Sequence, residues 1–303
     1  RERTVSPPGS LTVALWALNM DQRFAEPGDW LAQLDRRLDE SRAAGASLLA
    51  LPEYTSAAWW GWAPVGTTPE REVAWMAGAA DALLAAMAGL AALHEVALLA
   101  GSMPAAVGDG TYRNRAWLLL PDGRRVGQDK LCLTPAERDP ASWRLEPGDG
   151  VVRVVGWRGL RIATLVCLDI ELPALAARLA HEQVDLILVP SQTARRAGFA
   201  RVTTCAKARA VELMCATCVV GCIGRAGVER FPNVGGAAAY LPCERELGST
   251  GLLIEDGPYD GADGPGPLTL VHLPLGLIRE LRDGAAEVWP GAWTAAHVGV
   301  ETV

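Results

Sequence analysis

Short apolar runs alternate along the chain with longer stretches in which apolar residues recur every three or four positions, the pattern of strands interleaved with helices. "LTVALWAL" (11–18) and "SLLALPE" (47–53) read as buried strands. Between them Trp30, Leu31, Leu34 and Leu38 repeat at helical spacing, which makes one βαβ unit. The Ala-rich segment 70–94 predicts a long helix and "VALLAGS" (96–102) a strand after it. "NRAWLLLPDGRRVGQDK" (114–130) reads as a strand, a Pro-Asp-Gly turn and a second strand. In "RIATLVCLDIELPALAARLAHEQVDLILVPS" (161–191) an apolar strand leads into a helix over 171–181, with Leu172, Leu175, Ala176 and Leu179 on one face. The strand that follows, 184–189, is apolar throughout, as in sheets covered on both sides. A further helix is expected over 201–213, then "CATCVVGCIG" as strand. "GGAAAYLP", "GLLIED" and "LTLVHLP" read as shorter strands, and "GPYDGADGPGP" as a surface loop.

This alternation predicts an α/β layered fold with mixed strands. With no fixed-period repeat or composition break, residues 1–303 read as a single domain with a polar N-terminal arm, "RERTVSPPGS", and a C-terminal tail, "VWPGAWTAAHVGVETV". A hydrophobic content of 50% supports a deep core. A net charge of −7 without any Lys/Arg block gives no electrostatic footprint for nucleic acid or an anionic membrane. No uninterrupted apolar run of about 18 residues is present, so no membrane span is expected. The arm lacks the apolar core and cleavage site of a signal peptide, and the expected location is cytoplasmic. Seven cysteines, an odd count in a chain this size, argue for reduced thiols.

Ligands of such sheets bind beyond the strand C-termini. Three strand ends carry chemically useful groups: "LALPEY" ends in Glu53, "GQDKLCLTPAE" places Lys130, and "TLVCLD" places Cys167. A carboxylate, an ammonium and a thiol are the proton shuttle, oxyanion-stabilising cation and nucleophile of covalent acyl transfer. The helix over 171–181 would turn its positive end toward Cys167, and with Lys130 it would favour the thiolate. Taken singly, each has a plainer reading: Cys167 as a small core residue, Glu53 and Lys130 as solvated charges.

The order and surroundings of the three resemble the Glu-Lys-Cys triad of the nitrilase (carbon-nitrogen hydrolase) superfamily. "LPEY", "DKLCLTPAE", "CLDIELPALAARLAHEQVDLILVPS", "KARAVEL" and "NRAWLLLPDG" are each similar to a segment of that family, over residues 11–273. Leu168 stands where the family has an aromatic residue, and Cys132 where it commonly has His. The resemblance implies an αββα sandwich with mixed sheets and protomers stacked into αββααββα dimers, with a higher homo-oligomer as the alternative; the tail could cross onto a partner subunit. It implies hydrolysis of a small amide, less readily a nitrile or N-carbamoyl compound, with no metal or organic cofactor. Glu53 would be the base, Lys130 and the Leu168 N–H the oxyanion donors, and Glu137 a second carboxylate positioning Lys130 or the substrate. An acyltransferase using the same thioester and an inert scaffold are the competing classes.

Other residues have two readings. Glu137 could cap a helix after Thr134-Pro135, and Asp169 could orient the site or cap the following helix, the cap being the favoured reading. Trp59 and Trp60 would wall an apolar pocket or pack a loop, and Arg195 would bind a substrate carboxylate or face solvent. Tyr54 and Gln192, beside strand ends, are expected to line the pocket. Cys215 and Cys218 have the gap of a metal motif, but no second pair accompanies them.

Overall fold

The computed structural model of the chain describes residues 9–226, 231–286 and 298–302. Two six-stranded mixed sheets face each other. The first takes β1 (Leu11–Trp16), β2 (Leu48–Ala50), β3 (Ala97–Gly108), β4 (Thr111–Leu119) and β5 (Arg125–Asp129). The second takes β6 (Val154–Trp157), β7 (Leu160–Thr164), β8 (Leu186–Ser191) and β9 (Ala216–Gly221). β10 (Gly224–Ala226) and β11 (Phe231–Asn233) form a separate hairpin, and β12 (Gly235–Tyr240) and β13 (Leu252–Tyr259) complete the second sheet. The last strand among the described residues, β14 (Leu268–Leu273), returns to the first sheet antiparallel to β1. β1, β2 and β3 run parallel, as do β7, β8 and β9; the outer pairs are antiparallel.

Period-two alternation assigns each face. On β1, Val13 and Leu15 enter a core between the sheets with Ile162, Leu186 and Leu188. Ala14 and Trp16 point the other way, into a second core with Trp30, Leu34 and Leu38 of α1 (Pro27–Ala43) and Met76 and Met87 of α2 (Pro69–His94). After the short α3 (Pro135–Arg138), α4 (Pro173–Leu179) and α5 (Arg196–Leu213) cover the second sheet, and α6 (Leu275–Glu280) follows β14. The layers are αββα, as the resemblance implied.

Several boundaries differ from the sequence reading. β2 stops at Ala50, before Pro52 turns the chain. The helix expected over 171–181 is a 3-10 turn, Cys167–Glu171, followed by α4 alone; Pro173, with no N–H to donate back, restarts the helix there. α5 begins five residues early, and β13 absorbs the first residues of the expected loop. By length and composition, Arg71–His94 of α2 is long and apolar enough to cross a membrane; Asp81 breaks the uninterrupted run for which the sequence was searched. In the fold its Val73, Met76, Leu83 and Met87 are buried in the helix-side core. All seven cysteines are free thiols. The N-terminal arm up to residue 8 and most of the C-terminal tail lie outside the described residues.

Candidate active site

The site forms where the C-terminal ends of parallel strands from both sheets meet. Beyond β2, the chain turns at Pro52-Glu53 and Tyr54 adopts a left-handed conformation (φ 52°). The turn is tied down by Thr55 Oγ1 donating to the Pro52 carbonyl (3.0 Å) and the Tyr54 N–H donating to Ser102 Oγ (3.0 Å). It rests on Gly101 of β3 (φ 72°), where a Cβ would lie 2.1 Å from the Pro52 oxygen. Lys130 leaves β5 with its N–H bonded to the Asn114 carbonyl of β4 (2.8 Å). Glu137 is the third residue of α3, and its carboxylate accepts from Thr134 N–H (2.8 Å) and Oγ1 (2.9 Å). Cys167 opens the turn beyond β7 with φ 49°, a strained value for a residue with a Cβ.

These elements bring Glu53, Lys130 and Glu137 into one buried cluster. Lys130 Nζ donates to Glu53 Oε1 (2.8 Å) and to Glu137 Oε2 (2.8 Å) and Oε1 (3.0 Å). Asn114 Nδ2 bridges the carboxylates, at 2.8 Å from Glu53 Oε1 and 3.2 Å from Glu137 Oε1. The Tyr54 hydroxyl donates to Glu137 Oε1 (2.5 Å). Glu53 Oε2 accepts from the Gln192 N–H (2.8 Å), while Cys167 Sγ donates to the Gln192 carbonyl (3.6 Å). One backbone residue beyond β8 thus holds both reactive side chains.

Burial and charge separate the two carboxyls. Burial raises the Glu53 pKa, with Lys130 only partly offsetting it. Burial also acts on Glu137, but there the Lys130 charge and the hydrogen bonds from Lys130, Tyr54 and Thr134 prevail and hold it below the ordinary value. Lys130 stays protonated: burial opposes its charge, and the surrounding anionic groups outweigh burial. The thiolate expectation for Cys167 is overturned. Burial, reinforced by the Glu53 charge, pushes its thiol well above the usual range, and no long helix points at it. Its surroundings therefore favour the neutral thiol over the thiolate.

Asp169 is also corrected. Its carboxylate accepts the N–H groups of Leu131 (3.0 Å) and Cys132 (2.9 Å), so it latches the Cys167 turn to the Lys130 loop instead of capping α4. Burial raises its pKa to about 6. Leu168 is half-buried at the second position of its 3-10 turn, where N–H groups lack an intrahelical acceptor.

A cavity of about 280 Å³ opens onto Glu53, Lys130 and Glu137. Tyr54 and Gln192 line it, and so do Trp143, Phe231 and Pro232. Cys167 is only 5% exposed and does not itself line it, against the expectation of a pocket-facing thiol. Trp59 and Trp60 are not in the wall either. The 3-10 turn Thr55–Trp62 turns Trp59 against Trp30 (5.8 Å between ring centroids) and Trp60 against Trp75 (4.9 Å), where they join the turn to α1 and α2. Arg195 is exposed at the N-cap of α5 and absent from the wall, because the helix starts immediately after it. Cys132 is half-buried and contributes its backbone to the Asp169 latch.

Sequence reasoning missed two participants. Asn114 carries a readable signal: it alternates with buried Ala116 and Leu118 on one face of β4, a polar residue on an apolar stripe. Trp143, T-shaped against Tyr54 at 4.5 Å, sits in an irregular segment without any such pattern.

An αββα fold with a carboxylate, an ammonium and a thiol at its strand ends is the arrangement that the resemblance to carbon-nitrogen hydrolases implied. A profile of the carbon-nitrogen hydrolase family matches residues 12–249, and the chain belongs to that family, within the nitrilase superfamily. It is 31% identical over 187 residues to a Bacillus subtilis hydrolase, YhcX, and 32% identical over 158 residues to an (R)-stereoselective amidase of a Pseudomonas species. Those matches take in 60% and 52% of this chain but only 36% and 54% of the relatives' own lengths. Among solved structures, an amidase of Nesterenkonia from the nitrilase superfamily superposes with a TM-score of 0.69 at 26% identity, covering 92% of this chain and 97% of that one. The same amidase has been captured with butyramide, and with the acetamide moiety of fluoroacetamide covalently added to its active-site cysteine; both structures are 25% identical, with TM-scores of 0.69. They cover 92% and 94% of this chain, and 97% and 98% of theirs.

Proposed function

We propose that the protein is an amidase that works through a thioester on Cys167. The observation that carries this reading is the two-sided Glu53 carboxyl, with one oxygen on Lys130 and the other on the N–H of Gln192, whose carbonyl in turn accepts from the Cys167 thiol. Glu53, its pKa raised toward the working range, takes the thiol proton as Sγ turns from the Gln192 carbonyl to attack the amide carbon. The oxyanion of the tetrahedral intermediate is stabilised by Lys130, which exchanges one of its two hydrogen bonds to Glu137 for it, and by the Leu168 N–H. Glu53 passes its proton to the nitrogen, the C–N bond breaks, and ammonia leaves a Cys167 thioester. Glu53 then deprotonates water, which attacks the thioester; the C–S bond breaks, the carboxylic acid departs and the thiol is restored. Glu137 remains ionised throughout and keeps Lys130 charged and in place. The butyramide and acetamide seen in the Nesterenkonia amidase support the substrate class.

Ammonia release from a panel of primary amides tests the reading. Cys167→Ala should abolish turnover with the fold unchanged by circular dichroism, and Glu53→Gln should lower kcat by about 10²- to 10⁴-fold. Turnover retained by Cys167→Ala would sink the proposal.

A further inference from the structure

We propose that the cavity selects uncharged amides whose acyl group carries an aromatic ring or a comparably bulky hydrocarbon, seated against Trp143, Phe231 and Pro232; this rests on the amidase reading. The first argument is that polar groups of three wall side chains, Tyr54, Trp143 and Asn233, are already engaged within the protein. The Tyr54 hydroxyl goes to Glu137, the Trp143 indole N–H to Glu72 Oε2 (3.2 Å), and the Asn233 amide to the Gly224 and Phe231 carbonyls (3.1 and 3.2 Å). Away from the Glu53–Lys130–Glu137 cluster, an acyl group therefore meets mainly hydrocarbon and ring faces. Trp143 is held for that purpose at two points, by Glu72 and by its perpendicular contact with Tyr54.

The second argument is size. Ala57, Ala136, Ala194 and Ala226 all line the cavity, small side chains at four positions where larger ones would fill it. At the ~30 Å³ share of a water molecule, the space takes about nine non-hydrogen groups. Phenylacetamide has ten and propionamide five, so a small aliphatic amide would leave much of the cavity to water. The third argument is Phe231, 52% exposed although it lines the cavity. A bound ring would remove apolar surface from water on both partners, which an acetyl or propionyl group is too short to do.

The experiment compares phenylacetamide with propionamide in two ways: kcat/KM on the wild-type protein, and calorimetric affinity for Cys167→Ala. Phenylacetamide should be favoured by at least about tenfold on both scales. Trp143→Ala should reduce that preference to within about twofold, while Trp143→Phe, which keeps a ring, should retain most of it. Equal or reversed preference on both scales overturns the proposal, even if both amides are hydrolysed and the amidase reading stands. If neither amide is turned over but phenylacetamide still binds preferentially, the amidase reading falls and the assignment of the cavity stands. Should Trp143→Ala fail to fold, the wild-type ratio and Trp143→Phe decide.

Discussion

Two carboxyl groups sharing one ammonium would titrate alike in symmetrical surroundings; here Glu137 takes two hydrogen bonds from Lys130 and others from Tyr54 and Thr134, while for Glu53, with one bond from Lys130, burial prevails. Glu53 is consequently the group that can gain and lose a proton. As a base it must be ionised, so its raised pKa predicts an acid limb of kcat/KM at higher pH than an ordinary carboxylate would give, with activity falling as pH drops through it. A pH–rate profile measures this, and an acid limb at or below about pH 4 would contradict it. The neutral Cys167 thiol has its own consequence. With a limiting neutral disulfide reagent at pH 6, the exposed Cys243 should label before Cys167, as read by peptide mass mapping. Cys167 labelling first would restore the thiolate reading.

At the scale of elements, the site depends on how closely the turn after β2 approaches β3. Gly101 permits that approach, since any Cβ there collides with the Pro52 carbonyl and Thr55. Gly101→Ala should cost about 2 kcal/mol or more in urea unfolding and lower kcat as well, because Glu53 moves with the turn. The strands and the placement of Glu53, Lys130 and Cys167 beyond their ends were legible because burial periodicity and strand termination are local properties. The misreadings have non-local causes. The Trp59 and Trp60 rings are packed by α1 and α2, which no local pattern announces. The absence of a helix dipole at Cys167 was legible in principle, since Pro173 marks the restart of the helix. Asp169 has the composition of a cap, and only the tertiary approach of the Lys130 loop makes it a latch.

At the scale of the molecule, the two sheets are joined at the end opposite β8's C-terminus by Asp185, just ahead of that strand. Its carboxylate, 1% exposed, pairs with Arg279 (2.5 Å) and Arg282 (2.8 Å), which follow β14 of the other sheet. Burial alone would raise its pKa; the hydrogen bonds from Arg279, Arg282 and the Arg161 N–H prevail and hold it low. A lowered pKa contributes stability present above the unfolded-state value of about 3.9 and lost as pH falls through the folded value, so the acid side of the stability curve below about pH 4 should carry this residue. Asp185→Asn should flatten that limb and cost about 3 kcal/mol at pH 7 in denaturant titration, since two arginines would lose their counter-charge. The return of β14 to the first sheet also bears on biosynthesis. Every reactive group proposed here has left the ribosome once residue 192 has emerged, yet the first sheet still lacks its strand beside β1, and Asp185 still lacks its arginines. A nascent chain therefore carries all the groups of the proposed site before β14 has paired with β1.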